Sequence, residues 1–173
     1  MPSAAVTTLV GKPTVGSRLT ISQVMGPPDV NLMGTVHGGV ILRLVDTAAG
    51  VVAARHCAGS AVTAFMDEMA FLVAVHIGDV VHVQTQVNWA GTTSMEVGVR
   101  VLADRWNASV PATHVATAYL VMVAVGEDGR PRPVPPVIAE TDEDRRRFRE
   151  AQIRRDHRLD RRRAINASRR PNP

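Results

Sequence analysis

One long helix is the clearest element that the pattern of apolar and polar positions predicts. From Val40 to Cys57 the chain is almost entirely apolar, and the pair Gly38-Gly39 precedes this run. Gly59 follows it and is expected to cap the helix end, as glycine commonly does. A helix with so narrow a polar side needs a sheet wrapped around it to bury the rest of its surface.

Extended segments with a period of two surround this helix in the sequence. In the segment 78–91, Val81, Val83, Thr85 and Val87 alternate with polar residues, which is typical of a strand with one buried face. The other predicted strands cover residues 16–25, 60–73, 93–103 and 111–125. Short turns join the last four strands, so the sheet should be antiparallel, and the predicted fold class is α+β.

A last, polar helix is predicted over residues 141–164, with Thr141 as its N-cap. The first 15 residues have little pattern and are expected to form a flexible arm. The folded domain is expected to span 16–138, the segment 139–164 to pack on it as a helix, and residues 165–173 to be disordered.

Composition restricts the class of protein. A chain of 173 residues that is 45% hydrophobic can form one domain with a substantial core. It has no run of 18 apolar residues, so no membrane span and no membrane partner are expected. The single cysteine, Cys57, excludes an internal disulfide and fits a reducing compartment, which predicts a cytoplasmic location.

The positive charge is concentrated at one end of the sequence. Residues 141–173 contain 12 Arg and 6 acidic residues, within a chain of net charge +4. Arginine favours forked recognition of phosphate or carboxylate, but these charges also have the spacing to pair along an exposed helix. Phe148 is the one aromatic residue in this segment, too few for base stacking, so no nucleic-acid partner is expected.

Asp46 needs an explanation, because an unpaired carboxylate is costly to bury in an apolar helix. Helical geometry places it on a stripe of small and polar residues formed by Gly39, Arg43, Asp46, Thr47, Gly50 and Ala54. The remaining surface should face the core: Val40, Ile41, Leu42, Leu44, Val45, Ala48, Val51 and Val52. The stripe either faces solvent, with Asp46 as an ordinary surface acid, or forms a groove, since small residues let a backbone or ligand approach closely.

The helix start supplies a second candidate group. Gly38-Gly39 leave the first N–H groups of the helix unblocked, and a helix N-terminus carries positive potential. That suits a carbonyl oxygen gaining negative charge, and Asp46 lies roughly 10 Å of helical rise away. A carboxylate and an oxyanion site at this range fit water attack on an acyl group. His37 either takes part or caps the helix.

Four segments together resemble a known family. They are NLMGTVHGGVILRLVDTAAGVVAARHC, VTAFMDEMAFL, GDVVHVQTQVNWAGTTSMEV and GRPRPVPPVIAETDEDRRRF, and their order and spacing are similar to those of the hotdog-fold acyl-CoA thioesterases, closest to the cytosolic acyl-CoA hydrolase branch. The resemblance implies a single hotdog domain, in which an antiparallel sheet curls around the long helix. It also implies a homodimer, or a hexamer built as a trimer of dimers, with active sites between subunits.

The same resemblance implies roles for individual residues. Asp46 corresponds to the catalytic carboxylate, Asn31 of the second subunit to the catalytic asparagine, and Gly39 to the N–H donor that polarises the thioester carbonyl. Contacts with coenzyme A are implied for a larger set: Ala64, Phe65 and Met66 along the pantetheine, Thr93, Ser94 and Met95 at a turn, and Arg154 and Arg155 at the nucleotide phosphates. Thr92 stands where many relatives have a basic residue, which removes one phosphate contact.

The expected function is hydrolysis of fatty acyl-CoA to free fatty acid and coenzyme A, with Asp46 as general base or as nucleophile. A non-catalytic acyl-CoA-binding protein on the same fold is the alternative. Coenzyme A is part of the substrate, so no cofactor is expected. The six His show no metal-ligand spacing with Cys or acidic residues, so no metal site is expected either.

Overall fold

A computed structural model describes residues 9–169 and shows two helices and seven strands in this range. The helices are α1 (Gly38–Cys57) and α2 (Asp142–Ser168). The strands are β1 (Lys12–Pro13), β2 (Leu19–Val24), β3 (Ala61–Phe71), β4 (Asp79–Ala90), β5 (Ser94–Arg105), β6 (Thr113–Ala124) and β7 (Val137–Ile138). Neither helix is both long enough and apolar enough to cross a membrane.

Five strands form one antiparallel sheet in the order β2-β4-β5-β6-β3. This confirms the predicted antiparallel sheet, and it leaves β3 as an edge strand. Helix α1 packs against the sheet, and its buried residues, such as Val45 and Val52, join Val83, Val97 and Leu120 in one core. The core consists mainly of Val, Ala, Leu, Ile and Met, as the low aromatic content requires.

The predicted faces of α1 are largely confirmed. Ile41, Leu44, Val45, Ala48 and Val52 are buried, whereas Arg43, Asp46 and Thr47 are exposed. Val51 was predicted in the core and is instead 36% exposed, because it follows Thr47 by one helical turn and continues the exposed stripe.

The end of α1 differs from the prediction by one residue. Ala58, not Gly59, adopts the left-handed conformation, with φ 51° and ψ 54°. Gly59 leaves room for the guanidinium group of Arg132, which a side chain at this position would displace. That guanidinium donates a hydrogen bond of 2.8 Å to the carbonyl of Cys57 and thereby satisfies one of the free carbonyls at the helix end.

Both predicted outer boundaries of the folded domain need adjustment. The expected arm of residues 1–15 already includes β1, which pairs in parallel with β7, and the buried residue Thr14. Helix α2 continues to Ser168 instead of ending at 164, since residues 165–168 contain no glycine or proline that would interrupt it. The remaining residues of the predicted arm and tail, 1–8 and 170–173, lie outside the described part of the chain.

Helix α2 is held to the sheet by three charged contacts along its length. Asp144, which is 2% exposed, accepts hydrogen bonds from Arg18 (3.2 Å) and Gln86 (3.3 Å). In the middle of the helix, Arg154 pairs with Glu96 of β5 at 2.6 Å, and further on Arg158 pairs with Asp67 of β3 at 2.6 Å. The helix therefore crosses the sheet from the β2–β4 side to the β3 edge, and Thr141 caps its start as predicted.

Candidate active site

Asp46 lies beside the beginning of β3. Its Oδ1 accepts a hydrogen bond of 2.5 Å from the hydroxyl of Thr63, and both residues are exposed. Sequence analysis did not identify Thr63 as a site residue, although it is the one hydroxyl residue in the strand AVTAFMDEMAF. A carboxylate held by a hydroxyl group on an exposed surface is a group whose orientation is fixed while its second oxygen stays available.

Asn31 lies in the loop before α1, and its side chain organises that loop. Its Oδ1 accepts from the backbone N–H of Met33 (2.8 Å) and of Thr35 (3.3 Å), and its Nδ2 donates to Thr35 Oγ1 at 3.0 Å. These are the contacts of an Asx turn. Within the described chain Asn31 and Asp46 make no hydrogen bond with each other.

The start of α1 is capped by His37. The Nδ1 atom of its imidazole accepts a hydrogen bond of 2.9 Å from the N–H of Gly39, and a side chain at position 39 would crowd this ring, because its Cβ would lie 3.0 Å from Nδ1. The predicted oxyanion donor is therefore not free in this structure. His37 is exposed, so its ring has room to rotate away and release that N–H group.

The turn between β4 and β5 lies at the same end of the sheet as Thr63. The carbonyl of Thr93 accepts from the N–H of Ala124, and Ala124 is in turn the β6 partner of Ala61, two residues before Thr63. Ser94, the first residue of β5, is half-buried. The side chain of Met95 is fully buried in the core, because strand alternation turns it inward, so the predicted contact of Met95 with coenzyme A would have to be made by its backbone.

The predicted pantetheine-lining stretch is accessible. Ala64 and Phe65 are exposed, and Met66 is half-buried. The ring of Phe65 lies near two guanidinium groups of α2, at 5.7 Å from Arg158 and 5.6 Å from Arg161. Positive charge from α2 is therefore close to this part of β3.

The two arginines predicted to contact phosphate have different surroundings. Arg154 makes two hydrogen bonds to the buried Glu96 (2.6 and 3.1 Å), and its guanidinium stacks 3.5 Å from the ring of Tyr119. Desolvation lowers the pKa of Arg154, but its contacts with Glu96 outweigh this and raise the pKa. Arg154 is thus an internal partner of Glu96, unlike its prediction as a phosphate ligand. Arg155 is 43% exposed and lies 5.2 Å from the ring of Trp89, so it remains accessible.

An apolar cavity lies beside the start of α1. Its volume is about 310 Å³, and it is lined by Val36, Gly38, Ile41, Phe71, Leu72, Val73, Ala74 and Val75. The cavity therefore adjoins the far end of β3 from Thr63. The carboxylate of Asp46 therefore lies at the beginning of β3, whereas the start of α1 and the apolar cavity lie at the end of β3.

Comparison with known proteins identifies the family. The model of the thioesterase superfamily matches residues 33–105. A solved apo-hexameric acyl-CoA thioesterase superposes with a TM-score of 0.85 at 35% identity, over 88% of this chain and 97% of that one. The chain belongs to the thioesterase superfamily. Its hotdog fold and its resemblance to acyl-CoA thioesterases are thereby confirmed.

Two further members of the superfamily are informative. The acyl-CoA hydrolase of Staphylococcus aureus, solved with butyryl coenzyme A, coenzyme A and coenzyme A disulfide, superposes with a TM-score of 0.84 at 30% identity, over 91% of this chain and 95% of that one. Alanine variants of the same hydrolase, at an aspartate, an asparagine and a threonine, have also been solved. The cytosolic acyl coenzyme A thioester hydrolase of Mus musculus is 36% identical over 139 residues, which are 80% of this chain and 36% of that protein. The chain thus spans about a third of the length of that curated relative.

Proposed function

We propose that this chain hydrolyses fatty acyl-CoA to free fatty acid and coenzyme A, with Asp46 as the reacting carboxylate. The observation that carries the proposal is the 2.5 Å hydrogen bond between Asp46 and Thr63 on an exposed edge of the sheet. A carboxylate in this position is oriented but not neutralised by a cation, as a base or nucleophile requires.

The spacing of three residues supports this assignment. In the Staphylococcus aureus hydrolase the asparagine replaced by alanine precedes the replaced aspartate by 15 positions, and the threonine follows that aspartate by 17. Asn31, Asp46 and Thr63 have the same two separations. The spacing of Asn31, Asp46 and Thr63 is therefore the same as that of the three positions altered in a related acyl-CoA hydrolase, which supports the assignment.

Two chemical routes are consistent with the geometry. As a general base, Asp46 takes a proton from water, the water oxygen adds to the thioester carbonyl carbon, and the carbon–sulfur bond breaks as the thiolate of coenzyme A regains a proton. As a nucleophile, the carboxylate displaces the thiolate and forms an anhydride, which water then hydrolyses. In both, Asn31 positions the water or the carbonyl, and a backbone N–H at the start of α1 stabilises the oxyanion.

A second subunit is needed to assemble these groups. Asp46 and Thr63 lie at the beginning of β3, whereas the start of α1 and the apolar cavity adjoin its end. If β3 pairs with the same strand of a second copy in antiparallel fashion, the beginning of each strand lies beside the end of the other. This homodimer, alone or as one of three in a hexamer, brings Asn31 of one subunit to Asp46 of the other.

Coenzyme A would lie along the beginning of β3. We assign the pantetheine to Ala64, Phe65 and Met66, the neighbouring turn to Thr93 and Ser94, and a phosphate to Arg155. The acyl chain would enter the cavity of about 310 Å³ beside Ile41 and Phe71, whose lining is apolar. A long aliphatic acyl group gains most from such a lining, because each buried methylene contributes about 0.8 kcal/mol.

One observation favours the alternative of a non-catalytic acyl-CoA-binding protein. The N–H of Gly39 is engaged by His37 at 2.9 Å, so the oxyanion donor is free only after the imidazole moves. A protein that retained this contact with substrate bound would hold the thioester without hydrolysing it. The two functions predict different outcomes when thiol release and ligand binding are measured side by side.

The test is the variant Asp46→Asn, assayed with acyl-CoAs from acetyl to palmitoyl and a thiol-trapping dye. Asparagine keeps the shape and can still accept the hydrogen bond from Thr63, but it is neither a base nor a nucleophile. We expect kcat to fall by about three orders of magnitude, with acyl-CoA binding measured by calorimetry retained. Unchanged turnover would refute the role of Asp46, and a wild-type chain that binds acyl-CoA without releasing thiol would establish the alternative.

A further inference from the structure

The C-terminal segment of α2, residues 162–168, is exposed along its whole length, and the contacts of the helix indicate that this segment projects beyond the sheet. The last contacts of α2 with its own sheet are made by Arg158 and Arg161, which lie near Asp67 and Phe65 of β3. Because β3 is the edge of the sheet and α2 approaches it from the other side, the helix then runs past the edge. Seven more residues extend it by about 10 Å, which is about twice the strand spacing.

The same helix face that contacts the sheet continues into this projecting segment. Asp144 and Ala151 are the buried residues of the described part of α2, and Arg158 binds Asp67. These positions are seven residues apart, and the next in the series is Ile165. Because seven residues are close to two helical turns, with a drift of about 20°, Ile165 points to the same side as Arg158. It is an isoleucine on the sheet-facing side of a helix, at a place where its own chain has no sheet.

The edge strand β3, which lies beneath the projecting segment, exposes apolar side chains to solvent. Strand β3 is 11 residues long, and Val62, Phe65 and Phe71 are each more than a third exposed. The next two residues, Leu72 and Val73, are 59% and 48% exposed. A long apolar edge of this kind presents unpaired backbone groups and normally pairs with another strand. We therefore expect the same molecule to pair with the edge of β3 and to lie under residues 162–168 of α2.

We propose that residues 162–168 of α2 form a clasp that lies on the outer surface of a second copy of this chain, with Ile165 packed against that copy. The proposal rests on the homodimer of the proposed function and adds a second contact to it. A second copy paired at β3 continues the sheet directly under the clasp. Two-fold symmetry then gives each subunit one clasp over the other, so the contact is made twice.

Charge supports a second copy as the occupant. The clasp and its surroundings carry Arg161, Arg162 and Arg163 with one acid, Asp160. Residues 1–140, which form the body of each subunit, contain more acidic than basic residues, because 12 of the 20 basic residues lie in 141–173. A basic helix extending over a mildly acidic body is attracted to it, so the clasp should dissociate more readily at high salt.

A matched pair of substitutions tests the clasp in the full-length chain. Ile165→Glu places a charge at the proposed contact, whereas Ile153→Glu makes the same change on another side of the same helix, about 120° around its axis. Both isoleucines are exposed in the single chain, at 43% and 54%, so neither change should affect subunit folding, which circular dichroism verifies. By sedimentation over a concentration series, we expect Ile165→Glu to raise the dissociation constant of the dimer about tenfold or more, and Ile153→Glu to match the wild type.

Cysteine labelling provides a second measurement where the dimer is too tight for sedimentation. Cys57 is buried, so in Ile165→Cys and Ile153→Cys the introduced thiol is the accessible one. We expect iodoacetamide to modify residue 165 at least several-fold more slowly than residue 153. Equal labelling rates, equal dissociation constants or a monomeric wild type would each overturn the clasp. Thiol release is measured separately, so an inactive chain with a protected residue 165 would refute the proposed function and leave the clasp in place.

Discussion

At the scale of single residues, Thr63 is the addition that the structure makes to the predicted site. The sequence indicates Asp46, because a carboxylate in an apolar helix demands a reason, but it gives no direct signal for the hydroxyl that holds it. The hydrogen bond joins residues 17 positions apart, on different elements. Such a pair follows from tertiary packing, and only the occurrence of one hydroxyl residue in β3 hinted at it.

Replacing the hydroxyl of Thr63 tests whether this hydrogen bond serves catalysis. Thr63→Val keeps the branched shape and removes the donor to Asp46. A hydrogen bond to a charged group contributes about 1.5–3 kcal/mol, so we expect kcat to fall roughly 10- to 100-fold while KM changes little. Thr63→Ser restores the donor and should recover most of the activity. Steady-state thiol release measures both variants. Full turnover in the valine variant would show that the hydrogen bond between Thr63 and Asp46 has no role in catalysis.

Other site residues show why sequence reasoning reached only part of the site. Asn31 and Gly39 lie in the loop and helix start where the pattern places them, but the sequence does not reveal that His37 occupies the N–H of Gly39. Met95 belongs to a matching motif and is nonetheless buried. A motif identifies positions, whereas burial and hydrogen-bond partners depend on neighbours far away in the sequence.

At the scale of elements, α2 illustrates how one polar helix is held to a sheet by buried charge. Glu96 is 2% exposed, and it is tolerable there because Arg154 makes two hydrogen bonds to it and Asn88 donates a third at 3.2 Å. The neighbouring Arg155 points elsewhere, toward Trp89. Adjacent arginines of one helix thus have separate tasks, because successive residues point about 100° apart.

A pair of methionine substitutions separates these tasks. Arg154→Met leaves Glu96 buried without its cation, and breaking a buried pair in this way costs about 3 kcal/mol or more. Arg155→Met removes an exposed charge, so the free energy of unfolding should change by less than about 0.5 kcal/mol, whereas the KM for acyl-CoA should rise. Urea unfolding and thiol release measure the two effects. The reverse pattern, with Arg154 governing KM, would reinstate it as a phosphate ligand.

The elements themselves were predictable to a greater extent than the site. The long helix and the strands follow from periodicity, and their ends agree with the structure within a few residues. The strand order β2-β4-β5-β6-β3 does not follow from periodicity, because alternation identifies a strand's buried face but not its neighbours. The end of α1 was misassigned for a related reason, since Gly59 accommodates Arg132, a residue 73 positions away.

At the scale of the whole molecule, His56 connects the end of α1 to the segment that returns from the sheet. The ring is buried, and its Nε2 donates a hydrogen bond of 2.8 Å to the carbonyl of Pro135. Burial lowers the pKa of His56 below its ordinary value of 6.5; the bond to Pro135 opposes this, and the charge of Lys12 adds to it. The folded chain therefore holds this imidazole neutral at pH values where the unfolded chain protonates it.

Stability should consequently decrease as the pH falls below about 6.5, because the unfolded chain then binds more protons than the folded chain. A second decrease in stability is expected below pH 3.8, the ordinary pKa of Asp144. Desolvation raises the pKa of this carboxyl, but its hydrogen bonds, led by that from Thr141, have the larger effect and lower the pKa. We expect thermal unfolding midpoints measured from pH 7.5 to 5 to fall in the wild type. His56→Gln keeps an N–H donor for Pro135 without titrating, so its midpoint should vary less over this range. Equal slopes for the two proteins would show that protonation of another group governs the decline.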